Sequence, residues 1–405
     1  MKTVRFENGI TLVMEKFFNI RSISAGIYVK NGSVNETAAE NGISHFIEHM
    51  LFKGTDTRSA RDIAAEIDRA GGALNAYTTK EYTGYYTRVL DTCFDNTFDI
   101  LADMYFNSAF SEEDIMRERG VIDEEIDMYA DTPDDLVHEN LENSIWRGSS
   151  LGQPVLGTHE TISGFDGKTL KTYMQSHYCA DNTVISIAGN IDYGKTEALV
   201  RSYFGSFATK SAPRQKPQGD IYIPSFVSCK KDIEQQHMCI AFKGLTREDK
   251  DKYTMTVLNV LLGGSMSSLL FQHIREERGL AYSIYSVHSP YDDTGLFNVY
   301  AGFSRDKTEL VKNSILDELF GFADNFDSED MLNDAKQQLI NGFLMSLENT
   351  SSVAGSIGRT MLLRGKVNSR EEAIRVIEEV NTDMVKKLAK RVFIPDTQSI
   401  SIVGR

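Results

Sequence analysis

The chain has 405 residues, more than a single hydrophobic core usually serves, so at least two domains are expected. Its 41% apolar and 25% charged content suits a soluble globular protein, and no run of about eighteen apolar residues offers a membrane span. A net charge of -15 with no Lys/Arg stripe argues against a nucleic-acid partner, and the four scattered cysteines, Cys93, Cys179, Cys229 and Cys239, form no C-x-x-C pair for zinc or redox work.

In chain order, residues 1–9 read as a strand and turn without a signal-peptide apolar region, so a cytoplasmic protein beginning there is expected. Residues 23–29 read as a strand. A helix follows, because Ile43, Phe46, Ile47, Met50 and Leu51 recur at the spacing of a core-facing stripe. Ser59, with Asp62 three residues on, caps a second helix that Gly71-Gly72 stops. Residues 73–79 and 81–89 are rich in Tyr and Thr and read as strands. Helical patterns then run to about residue 145, followed by a strand at 183–189 and a helix near 193–204.

From about 207 to 222 the chain is small, polar and proline-punctuated, the character of a linker. The second half repeats the first in outline and closes with a strand at 399–403. Leu74-Asn75-Ala76-Tyr77-Thr78, followed by Thr83-Gly84-Tyr85, is echoed by Leu280-Ala281-Tyr282-Ser283, followed by Thr294-Gly295-Leu296, which points to an internal duplication. The expected organisation is an N-terminal domain over 1–210, a linker over 211–222 and a similar domain over 223–405.

The chemistry concentrates in His45-Phe46-Ile47-Glu48-His49. At about 100° per residue, His45, Glu48 and His49 fall opposite the apolar stripe, so one face packs while the other presents two imidazoles and a carboxylate to an open site. The order is the inverted H-x-x-E-H arrangement of zinc proteases. The bland alternative is a solvated polar face. A catalytic zinc also needs a third protein ligand and an open position. The acidic helix around 118–129 is the best donor region. Helical phase puts Glu118 and Glu125 at the border of its apolar face, whereas Asp123, Glu124 and Asp127 project away. A carboxylate among core residues needs a compensating partner, so Glu125 is assigned as ligand and Glu118 as the carboxylate orienting an imidazole. Pairing of these acids with Arg117 or Arg119 on a wet surface is the competing reading. His138, His159, His177, His237, His273 and His288 show no ligand spacing and read as structural or surface residues.

Together these segments resemble the inverted-zincin metallopeptidases that include pitrilysin, insulin-degrading enzyme and mitochondrial processing peptidase, and most closely their short bacterial members. The resemblance runs through the whole chain: His45, Glu48 and His49 match the H-x-x-E-H motif, and Glu118 and Glu125 match the distal E-x6-E pair. It implies an α+β fold of two similar domains, each a mainly antiparallel sheet flanked by helices, with a homodimer enclosing a chamber. It implies one zinc per chain, Glu48 as general base, and peptide substrate bound by strand addition along Asn75, Ala76 and Tyr77. Arg275 and Tyr282, seven apart, match the family's Arg/Tyr element, which acts on the reacting carbonyl of the same or the opposite subunit. The expected function is a zinc endopeptidase for short or unfolded peptides. A non-catalytic binding or assembly subunit, or one half of an obligate heterodimer, are the alternatives.

Overall fold

The computed structural model describes residues 1–207 and 221–404, which divide into two compact units. The first holds Met1–Asp127, the described part of Gln153–Gln215, and Met345–Val367. The second holds Met128–Gly152 and the described parts of Lys216–Leu344 and Asn368–Arg405.

The first unit is built on six strands: β1 (Lys2–Arg5), β2 (Thr11–Lys16), β3 (Ser22–Val29), β4 (Ala73–Thr78), β5 (Thr83–Leu90) and β6 (Thr183–Gly189). Their order is β1-β2-β6-β3-β5-β4, antiparallel except for the β2–β6 pair. The second unit has five: β7 (Phe226–Cys229), β8 (Gln235–Lys243), β9 (Ala281–Pro290), β10 (Gly295–Ser304) and β11 (Ser399–Val403). Their order is β7-β11-β8-β10-β9, again antiparallel except for the β7–β11 pair. Position by position, β7, β11, β8, β10 and β9 repeat β2, β6, β3, β5 and β4. The duplication expected from the short Leu-Tyr echo is therefore present in the strand topology, and β4 and β9, which carry the echo, are both edge strands.

Two segments pack against the order of the chain. β3 and β6 are buried along nearly their whole length, so both faces of the first sheet need cover. One face packs on helices of the first half, including Ile43–Leu51. The other takes Val353, Ala354, Ile357, Met361 and Leu362 of helix Thr350–Arg364, which comes from the second half of the sequence. Small polar groups seat that helix: Ser24 Oγ lies 2.9 Å from Thr350 Oγ1, and Ser186 Oγ donates to Ala354 O at 2.7 Å. Conversely, helix Pro133–Ile145 of the first half packs on β8 and β11 of the second unit. The sequential ranges 1–210 and 223–405 thus differ from the packing units at 128–152 and 345–367, because an apolar sheet face recruits whichever helix reaches it. The expected linker at 211–222 lies largely outside the described residues. Tyr222, inside that range, is buried in the second unit with its hydroxyl 2.9 Å from Ser399 Oγ.

The helix Ile43–Leu51 enters through a tight corner. Gly42 caps it at φ +93°, and a Cβ there would lie 2.6 Å from Leu156 O, so only glycine fits. Glu36, buried, supplies the missing acceptors: Gly42 N donates to Oε2 at 2.8 Å and Ser44 N to Oε1 at 2.9 Å. Replacing Gly42 with Ala is expected to lower the unfolding free energy by about 2 kcal/mol. Gly120→Ala, in an open helical position of Glu112–Asp131 with nothing within 4 Å of the new Cβ, is expected to raise it by about 0.5–1 kcal/mol. Urea denaturation of the two variants side by side measures the contrast.

Candidate metal centre

The helix Ile43–Leu51 places His45 and His49 one turn apart, with ring centroids 4.5 Å from each other. Glu125, from helix Glu112–Asp131, comes between them: its Oε2 is 3.7 Å from His45 Nε2 and 3.6 Å from His49 Nε2. These separations exceed hydrogen-bond length, so the three atoms converge without bonding to one another. They are close to the edges, about 3.3–3.5 Å, of a tetrahedron whose bonds have zinc–nitrogen and zinc–oxygen lengths. Among the described residues, His45, His49 and Glu125 form the one group with metal-ligand geometry.

The surroundings favour a cation at that point. Burial pulls the His45 imidazole down from 6.5 to about 3, with His49 adding to the effect, so it is held neutral, as a ligand must be. Among the described residues, no Lys or Arg pairs with Glu125. The acids and arginines do not combine as the surface reading required: Arg117 pairs with Glu113 and Asp114, and Arg119 donates to Phe165 O at 2.9 Å. The residues fit a divalent metal of the zinc type, with two imidazoles and one carboxylate as in catalytic rather than structural sites.

Glu118 is 4% exposed and meets His49 Nδ1 at 2.8 Å through Oε1. Its Oε2 meets Lys53 Nζ at 2.5 Å. Burial pushes its carboxyl up, but the bonds to His49 and Lys53 outweigh this and hold it below the usual carboxylate range. It therefore fixes the ring of His49 and leaves Nε2 facing Glu125. Glu118 and Glu125, which border the apolar face of their helix, thus both lie beside the histidines. Lys53, the other partner of Glu118, lies two residues past the end of the motif helix, where helical phase gives no guide to its direction.

Glu48 is partly buried on the same side of the helix, and its Oε2 accepts from Thr78 Oγ1 of β4 at 2.5 Å. Burial moves its carboxyl up; Thr78 and His49 oppose the shift without cancelling it. On this face His45 is only 7% exposed, whereas Glu48 and His49 remain partly accessible. The polar side is partly covered, by Thr78 of β4 at Glu48 and by Glu118 and Glu125 of helix Glu112–Asp131 at the histidines.

β4 ends the first sheet, so one of its edges is free of strand partners. Leu74 and Ala76 pack toward the motif helix, whereas Tyr77 packs on the opposite face. Ala76 N donates to Asn75 Oδ1 at 2.8 Å rather than to β5, which puts the Ala76 amide on the free edge. Arg275 and Tyr282 belong to the second unit, Arg275 in a π-helical turn at Phe271–Glu277 and Tyr282, exposed, at the start of edge strand β9. The remaining histidines serve elsewhere. His159 sits between Asp123 and Asp127 on the surface, and His138 contacts Cys239, Asn298 and Tyr285. All four cysteines are free.

The family profile described as Insulinase (Peptidase family M16) matches residues 12–159, and that described as Peptidase M16 inactive domain matches 165–339. A Bacillus subtilis protein named uncharacterized zinc protease YmxG is 41% identical over 98% of this chain and 96% of its own length. A Rickettsia felis protein named uncharacterized zinc protease is 37% identical over 99% of this chain and 96% of its own. The crystal structure of a protease from Helicobacter pylori superposes with a TM-score of 0.92 at 21% identity, covering 100% of this chain and 99% of that one. A Pseudomonas fluorescens structure named for the peptidase M16 inactive domain gives 0.93 at 19%, covering 100% and 97%. At these identities the two structures bear on the fold. Among the described residues no helix is long and apolar enough to cross a membrane.

His45 also sets a pH dependence. A buried imidazole whose pKa falls on folding leaves the unfolded chain to bind the proton first, so stability is fully present above about 6.5 and is lost as the pH drops toward about 3. Metal-free protein is expected to lose stability across this window, and His45→Phe to lose less. Chemical denaturation at pH 7, 5.5 and 4.5 for the pair measures the difference.

Proposed function

Since the chain belongs to peptidase family M16, we propose that it is a zinc-dependent endopeptidase cleaving short or unfolded peptides. The convergence of His45 Nε2, His49 Nε2 and Glu125 Oε2 beside Glu48 is the observation that carries this reading. One zinc per chain, held by those three residues, would supply Lewis acidity that activates water at neutral pH and polarises the scissile carbonyl.

The protein's own groups do the rest. Thr78 occupies Glu48 Oε2, which leaves Oε1 to take the proton from the attacking water and return it to the leaving amine. Glu118 and Lys53 keep His49 in one tautomer throughout. A peptide adding to the free edge of β4 pairs with Ala76 after displacing the Asn75 side chain from its amide, which holds the substrate extended beside Glu48. Because such pairing uses backbone groups, it tolerates many sequences. Arg275 and Tyr282 are assigned to the developing oxyanion or a neighbouring carbonyl. The reading includes a cytoplasmic homodimer enclosing the reaction in a chamber, with Arg275 and Tyr282 serving the zinc site of the same or the opposite copy.

Glu48→Gln is expected to retain zinc while lowering kcat by about 10²–10⁴-fold. Metal analysis together with cleavage of an internally quenched peptide, with and without a chelator, measures both. Native turnover by the variant would remove Glu48 as base. A homodimer that carries zinc and cleaves no peptide would favour the heterodimer reading, and a chain that carries no zinc would favour the binding subunit.

A further inference from the structure

Helix Thr350–Arg364 crosses β2, β6 and β3 on the sheet face away from the motif helix, and β5 and β4 continue past it to the free edge. From its flank Arg359 reaches the edge strand, where Nη1 donates to Tyr77 Oη at 3.4 Å. The floor beneath is shaped by one glycine. Tyr28, Gly84 and Tyr77 stand in register on β3, β5 and β4, and a Cβ at 84 would lie 3.0 Å from the Tyr28 ring and 3.2 Å from that of Tyr77. Tyr82 meets Tyr77 edge-on at 5.8 Å.

Arg359 is half-buried, and among the described residues no Asp or Glu pairs with it. In a chain with 58 acidic and 43 basic side chains, a partly buried cation without a carboxylate is out of keeping with the composition. The phenols do not neutralise it. Burial holds the Tyr28 and Tyr82 hydroxyls above the ordinary phenol value, so they remain protonated and offer hydrogen bonds without countercharge. Successive side chains of a strand laid along β4 point alternately to the two faces of the sheet. Those on one face meet the motif helix; those on the other come alongside Tyr77 and Arg359.

We propose that Arg359, with the Tyr77 and Tyr82 hydroxyls, forms a subsite that binds a carboxylate of the peptide aligned on β4, either an acidic side chain or the terminal carboxylate. The planar fork of the guanidinium suits a carboxylate in two-point contact, and the tyrosines exclude water from the pair. Arg359 is then a specificity residue for the proposed peptidase. The inference rests on β4 being the substrate strand.

The test is a set of quenched peptides of one sequence, carrying Asp or Asn at each position around the cut and ending in a free acid or an amide. At one internal position, or at the end, the wild type is expected to show a KM about tenfold lower for the acid than for its amide, with kcat unchanged. Which member of the set responds separates the side-chain source from the terminal one. Arg359→Gln is expected to abolish the difference, acid and amide peptides then giving the same KM. Arg359→Lys, which keeps the charge and loses the fork, is expected to reduce it several-fold. Absence of acid discrimination in the wild type, or discrimination unchanged in either variant, overturns the proposal. Failure of the peptidase reading looks different, since no peptide of the set is then cleaved. In that case fluorescence anisotropy of labelled acid and amide peptides with Glu48→Gln protein decides the subsite by the same tenfold criterion.

Discussion

The carboxylate of Glu118, buried between His49 and Lys53, is the constraint on which the site depends. A buried carboxylate with one partner removed costs about 3–5 kcal/mol, so its two bonds lock helix Glu112–Asp131 against helix Ile43–Leu51 in one register. Glu125, seven residues and two turns further along, is thereby delivered to the pair of imidazoles. The same bond fixes the tautomer of His49. Orientation of the donors and the docking of the two helices are one energetic event.

The opposite end of the motif helix is secured as firmly. Glu36 accepts the first amide hydrogens, and Gly42 turns a corner that no side chain fits. Thr78 joins the edge strand to Glu48, so the strand proposed to hold substrate and the carboxylate proposed to move the proton are tied by one hydrogen bond. Rigidity at this point matters because a shift of about 1 Å between reacting groups can cost two orders of magnitude in rate.

Family membership and this geometry agree without depending on each other. Relatives named zinc proteases span nearly the whole chain, and the converging donors would point to zinc in their absence. The profile matching residues 165–339 is that of an inactive domain, in keeping with a metal grouping that, among the described residues, lies before that range. What the second unit retains is the duplicated topology, down to an exposed aromatic, Tyr282, on the edge strand matching β4.

The amino-acid sequence by itself determined most of the elements and named the three side chains, His45, His49 and Glu125, that the structure brings together. Helical phase, capping residues and Tyr/Thr-rich runs are local signals. They sufficed for the motif helix, for the helix from Ala60 to Arg69 and for the position of Glu118 and Glu125 relative to an apolar stripe. Only the tertiary structure decided that His45 is buried, that Thr78 holds Glu48, and that Arg359, 282 residues from Tyr77, overhangs the edge strand. It also decided that helices Pro133–Ile145 and Thr350–Arg364 cover sheets of the other half of the chain. The physical reason is common to all of these. Periodicity tells a segment which face to bury, but not against what, and that choice is made by the apolar surfaces left uncovered when the sheets form.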